Sequence, residues 1–155
     1  MWFMNKIANP IVGLILRSRL HGLMSASLLL IAYRGRKSGR AYRLPVQYAQ
    51  DGQQVFILPG QPENKTWWRN FKEETPVTLA LRGKTLGGKA RLLDPQSDPQ
   101  ACQDGLAVYL RRFPSLAKLH QVSADADGSF NPGELRTAAD SACIIRISLD
   151  EGNRR

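Results

Sequence analysis

Six runs of strand length, each bounded by turn residues, constrain this 155-residue chain most. Ser27–Tyr33 is continuously apolar and stops before Gly35, which reads as a buried strand. Tyr42–Gln50 alternates, with Tyr42, Leu44, Val46 and Tyr48 on one parity and Arg43 and Gln47 on the other. Asp51-Gly52 is a strong hairpin signal, and Val55–Leu58 is the returning strand. Val77–Arg82 and Thr85–Leu93 form a second hairpin around Gly83-Lys84, and Ala142–Leu149 is the last strand. Between these runs, Asn64–Phe71 reads as a short helix. Asp98-Pro99 opens a longer helix that Pro114 ends, Ser115–Val122 is a further helical piece, and a polar loop follows. Short strands joined mostly by hairpins favour an antiparallel barrel over a doubly wound parallel sheet.

The length suits one domain. We divide it into a helical N-terminal segment (1–26), a barrel core (27–95), helices and a loop (96–140) and the last strand (141–150). Cys102 and Cys143 lie far apart without a CxxC motif, so both read as buried thiols and neither a disulfide framework nor a metal site is expected.

Charge is unevenly distributed. Residues 1–50 carry 8 Lys or Arg and no Asp or Glu, whereas residues 51–155 carry 14 basic and 13 acidic side chains. That asymmetry points to an anionic partner. The apolar stretch Met1–Leu16 is interrupted by Asn9-Pro10 and followed by Arg17 and Arg19, so it does not span a membrane. It reads as a helix to about Met24 that caps the core, or else lies on a membrane surface. The expected location is cytoplasmic, with peripheral contact at the inner membrane face as the alternative.

Two constellations carry chemistry. The first is Arg34-Gly35-Arg36-Lys37-Ser38-Gly39-Arg40, with Arg43 nearby. Its glycines permit a tight bend with amides turned toward an anion, Arg36 and Lys37 supply charge, and Ser38 a hydroxyl. The crowded cations repel one another unless an anion offsets them, and Lys65 adds another. The second is Trp67-Trp68-Arg69-Asn70. Adjacent residues on a helix point about 100° apart, so one indole is expected to pack inward while the other lines a pocket wall. Asp125–Asn131 resembles the start of a calcium loop, but its glycine is misplaced and Arg136 stands at the closing position, so it reads as a turn. No serine nucleophile elbow is present.

The ordered set Gly35-Arg36-Lys37-Ser38-Gly39, Pro45, Asp51-Gly52 and Trp67-Trp68-Arg69-Asn70-Phe71 resembles the deazaflavin-dependent nitroreductase family. The resemblance implies a mainly β (α+β) split β-barrel of about six antiparallel strands with N-terminal and peripheral helices. It implies an oxidoreductase passing a hydride between coenzyme F420 and a small acceptor such as a quinone or nitroaromatic. Carried over by position, Arg36, Lys37, Ser38 and Gly39 hold the phosphate and glutamate tail. Pro45, Val46, Leu58, Pro59 and Gly60 lie beside the ring, Lys65 adds charge, and Trp67, Trp68 and Asn70 border the pocket. The family's tyrosines near the substrate are replaced here by leucines in Phe113–His120, which leaves Tyr109 and His120 as candidate proton donors. The alternative is the same barrel binding FMN, haem or a fatty acid. Nucleic acid is a disfavoured partner, and both monomer and homodimer fit.

Overall fold

The computed structural model describes residues 27–151. The N-terminal helix and the extreme C-terminal tail expected from sequence lie outside the described residues. Seven strands, one more than expected, form a single antiparallel sheet. They are β1 (Leu28–Arg34), β2 (Ala41–Gln47), β3 (Ala49–Asp51), β4 (Gln54–Ile57), β5 (Thr75–Leu81), β6 (Lys84–Leu92) and β7 (Ile145–Leu149). The sheet order is β2-β1-β5-β6-β7-β4-β3.

The extra strand arises because Tyr42–Gln50 is not one strand. The run divides at Tyr48, whose N–H makes the last bond to the β1 side, donating to Ser27 O at 3.1 Å, before Ala49 pairs with Phe56 of β4. β2 and β3 therefore sit at opposite edges of the sheet, although only Tyr48 separates them in the chain. A single residue cannot span an open sheet of seven strands, so the sheet must curl until its edges meet. That curl is the barrel. β7 lies between β6 and β4, so the barrel core is not confined to residues 27–95: the C-terminal strand completes its wall.

The parity read from sequence is the one that fills the interior. Leu44, Val46 and Tyr48 pack with Leu29, Ile31, Val55, Ile57, Leu79 and Ile147. Pro45 faces the other way on edge strand β2, where a missing N–H disrupts no interior ladder. β4 is apolar on consecutive positions because both its faces are covered. Val55 and Ile57 face the barrel, while Phe56 joins a second core under the helices.

That second core gathers Ala49, Phe56, Cys102, Leu106, Tyr109, Leu110 and Ile144 beneath α1 (Pro99–Arg112), α2 (Ser115–Leu119) and α3 (Pro132–Ser141). Gly105 lets α1 approach β4 closely, since a Cβ there would stand 2.9 Å from the Phe56 ring. Helix α3 falls partly where the sequence reading ran a polar loop. Its signal was legible: Asn131 caps it by accepting the Glu134 N–H at 3.0 Å, and Pro132 occupies the first turn. Cys102 is buried, but Cys143 is only half-buried, and burial raises its thiol to about 11.

Both hairpins turn one residue away from the expected positions. Asp51 still pairs with Gln54, so Gly52 (φ +60°) and Gln53 make the first turn. Arg82 and Gly83, both at positive φ, make the second. Among the described residues, no helix is long and apolar enough to cross a membrane.

Candidate functional site

Antiparallel alternation decides what shares a rim. β1, β6 and β4 run in the same direction, so the bend after β1 and the segment Leu58–Gly60 after β4 leave the barrel at one end. The chain from β4 to β5 crosses that end as two 3-10 turns, Pro62–Asn64 and Trp67–Phe71. The single helix expected over Asn64–Phe71 is interrupted because Lys65 is extended.

The bend is closed by its own backbone. Gly35 N–H donates to Arg40 O at 2.8 Å, and Gly39 N–H donates to Gly35 O at 2.9 Å. Gly39 has φ +66°, which glycine adopts without steric cost. At Gly35 a Cβ would stand 2.7 Å from both Ser38 Oγ and a Tyr42 ring carbon, so only hydrogen fits. Arg34 Nη1 donates to Gly39 O at 3.1 Å, and Arg40 N–H donates to Ser38 Oγ at 3.2 Å.

Arg36 N–H donates to Asn70 Oδ1 at 2.8 Å, and Asn70 Nδ2 donates to Trp67 O at 2.8 Å. Asn70 thereby ties the basic bend to the tryptophan turn. The amides of Gly35, Arg36, Gly39 and Arg40 are thus all engaged. The expected cradle of inward amides reduces to Lys37 and Ser38, whose N–H groups have no partner among the described residues.

Side-chain charge is not offset. The ion pairs Lys89–Glu74 (4.0 Å) and Arg91–Asp98 (3.5 Å) leave Arg36, Lys37 and Arg40 without a carboxylate partner among the described residues. Lys65 is half-buried, with its Nζ 3.9 Å from where a Cβ on Gly60 would stand.

Both tryptophans are half-buried against the barrel core, so neither takes the inward position alone. Phe71, fully buried, fills that position. Trp67 meets Phe71 edge-on at 6.2 Å, and Phe71 meets Tyr33 edge-on at 5.1 Å. Trp68 Nε1 donates to Pro62 O at 2.8 Å, and Arg69 lies over its ring at 5.4 Å. Tyr33 stacks on Tyr42 at 5.6 Å, and the Tyr42 hydroxyl meets Ser38 Oγ at 3.1 Å. Burial, and then the neighbouring Tyr42, raises the Tyr33 phenol to about 12.

The rim brings together Arg36, Lys37, Ser38, Gly39, Trp67 and Asn70, with Lys65 over Gly60. Leu58 and Pro59 lead out of β4, Leu58 packed against the second core and Pro59 buried. β2 runs away from the rim, with Pro45 half-buried on its outer face and Val46 inside the barrel. The two candidate proton donors lie elsewhere, on the helical side. Tyr109 is 2% exposed in the second core, its hydroxyl donates to Gln47 Oε1 at 3.2 Å, and burial raises it to about 12. His120 follows α2, and desolvation lowers its pKa. Tyr33 and Tyr42 were read only as strand residues, yet their place on both sides of the bend was the signal: they are direct partners in the β1–β2 register.

A sequence model described as F420H(2)-dependent quinone reductase matches residues 16–107, more than half of the chain, from ahead of β1 into α1. The chain belongs to the F420H(2)-dependent quinone reductase family. Members of this family are oxidoreductases, and the cofactor of this one is coenzyme F420. Two solved structures share the fold. An F420-H2 dependent reductase (FDR-A) superposes with a TM-score of 0.52 at 17% identity, over 80% of this chain and 94% of that one. A domain-swapped dimer superposes with a TM-score of 0.50 at 16% identity, over 80% of each chain. No curated protein matches the chain in sequence.

Proposed function

We propose that this family member reduces a quinone with F420, and that the basic bend holds the anionic tail of the cofactor. The observation that carries this reading is the Asn70 bridge, which joins unpaired cations and indoles into one wall. The donor set fits the group: Arg36, Lys37, Arg40 and Lys65 match a phosphate and several carboxylates in sign and number. When bound, F420 supplies a two-electron hydride carrier.

The chain's own part is placement. Arg36 and Lys37 would attract the tail, and the Lys37 and Ser38 N–H groups would donate to one of its oxyanions. Pro59 and Gly60 after β4 would border the ring at the rim, and Trp67 and Trp68 would limit water there. Tyr109 is an unsuitable donor because its O–H is buried and already donated to Gln47 Oε1, and the lowered pKa of His120 keeps it neutral near pH 7. The proton taken up by the reduced acceptor comes from water.

The test is fluorescence titration of F420 into wild type and an R36A/K37A variant. Two charge-assisted contacts are worth about 3–6 kcal/mol before screening, so the variant should bind at least about 100-fold more weakly. Wild-type affinity in that variant would remove the bend from the cofactor site. Oxidation of reduced F420 by a soluble quinone then tests the acceptor.

A further inference from the structure

Two hydroxyls meet beside the bend. Ser38 Oγ accepts the Arg40 N–H at 3.2 Å and lies 3.1 Å from the Tyr42 hydroxyl. Two hydroxyls own two protons, and the bond between them uses one. The Arg40 amide takes a lone pair and no proton, so one O–H of the pair is left for another acceptor. With Ser38 donating to Tyr42, the remaining O–H is the phenol's, the more acidic of the two and the stronger donor to an anion.

Tyr33 is an independent observation. Its side chain is 6% exposed and enclosed by Tyr42 and Phe71. Its hydroxyl has no hydrogen-bond partner among the described residues, and Tyr33 is the next-to-last residue of β1, directly before the bend. A phenol O–H that no protein group engages is free to donate to a ligand at the bend.

We propose that Tyr42 and Tyr33, with Ser38 as the relay between bend and strand, form a pair of neutral phenol donors for a phosphate oxygen of F420. This rests on the bend being the tail site and adds what the cations lack. Arg36, Lys37 and Arg40 are exposed, long and flexible, and they attract any anion. The phenols sit on paired strands in fixed register and offer directional donors to a tetrahedral group. Burial keeps Tyr33 protonated across the physiological range, so it remains a donor beside an anion.

The carboxylates of the glutamate tail have related chemistry, and the experiment separates them. Wild type, Y42F and Y33F are titrated with F420, with a form bearing the phosphate but no glutamates, and with the deazaflavin riboside, which has neither. Phenylalanine keeps both rings stacked, so folding is preserved. Y42F should weaken F420 and the glutamate-free form by a similar factor of about ten and leave the riboside unchanged. Y33F should act in the same direction, and neither should change the salt dependence that R36A/K37A flattens.

Equal weakening of all three ligands would mean the phenols only pack and would overturn the proposal. Loss confined to the glutamate-bearing form would overturn the phosphate assignment. Wild-type affinities in Y42F alongside a large loss in R36A/K37A would sink the phenol pair and spare the bend; no loss in R36A/K37A would sink the bend itself.

Discussion

Replacing Asn70 by alanine removes both bonds of the bridge, to Arg36 N–H and to Trp67 O, each 2.8 Å long. A neutral hydrogen bond contributes about 0.5–1.5 kcal/mol net. Arg36 is exposed and its freed amide regains water, so the pair should be worth about 1–2 kcal/mol. At about 2–4 °C per kcal/mol for a domain of this size, N70A should melt about 2–8 °C lower. Cofactor binding should suffer as well, because the bend must then be ordered during binding. A cost of about 1.4 kcal/mol there is a tenfold rise in Kd. N70D isolates the electrostatic part: it keeps the acceptor for Arg36, loses the donor to Trp67 and adds a negative charge beside the cations. It should bind F420 more weakly than N70A does, with the gap closing in high salt. Calorimetric melting and fluorescence titration give both numbers. An N70A protein that melts low but binds F420 like wild type would show that the bridge serves folding alone.

Three further outcomes follow from the packing and the titrating groups. G105A should destabilise the domain by about 1–3 kcal/mol, because the added methyl meets the Phe56 ring, while F420 affinity stays within twofold; urea unfolding and titration check the two halves. Tyr33 and Tyr109 both titrate near 12 when folded and near 10 when unfolded, so the unfolded chain releases protons first. Stability should therefore be unaffected below pH 10 and fall from pH 10 toward 12, and Y109F should flatten that fall in denaturant titrations. Cys143, half-buried with its thiol raised to about 11, should react with a disulfide reagent at pH 8 more slowly than free cysteine, and at the free rate once unfolded.

Local patterns were legible wherever a single run of residues decides the outcome. The interior parity of Tyr42, Leu44, Val46 and Tyr48, the breaker at Pro114 and the bend at Gly35–Gly39 all follow from residue type and spacing. Helix α3 was legible too, through Asn131, Pro132 and Glu134, but the polar run ahead of it masked the cap. The break at Tyr48 was not. Both Tyr48 and Ala49 are buried, one in each core, and adjacent burial looks like ordinary strand until a second layer is known.

What the chain fixes by itself is therefore the supply of chemistry: cations without acids in its first third, glycines on both sides of them, indoles and an asparagine further on, and a family pattern that names F420. What only the tertiary structure decides is which of these meet. Strand direction places the bends after β1 and β4 on one rim, and the Asn70 side chain reaches across 34 positions of sequence to close the bend. The same packing withdraws Tyr109 into a core and brings the Tyr42 hydroxyl against Ser38 at the bend. Sequence spacing carries no such information, because a hydroxyl's accessibility depends on the neighbours that packing supplies.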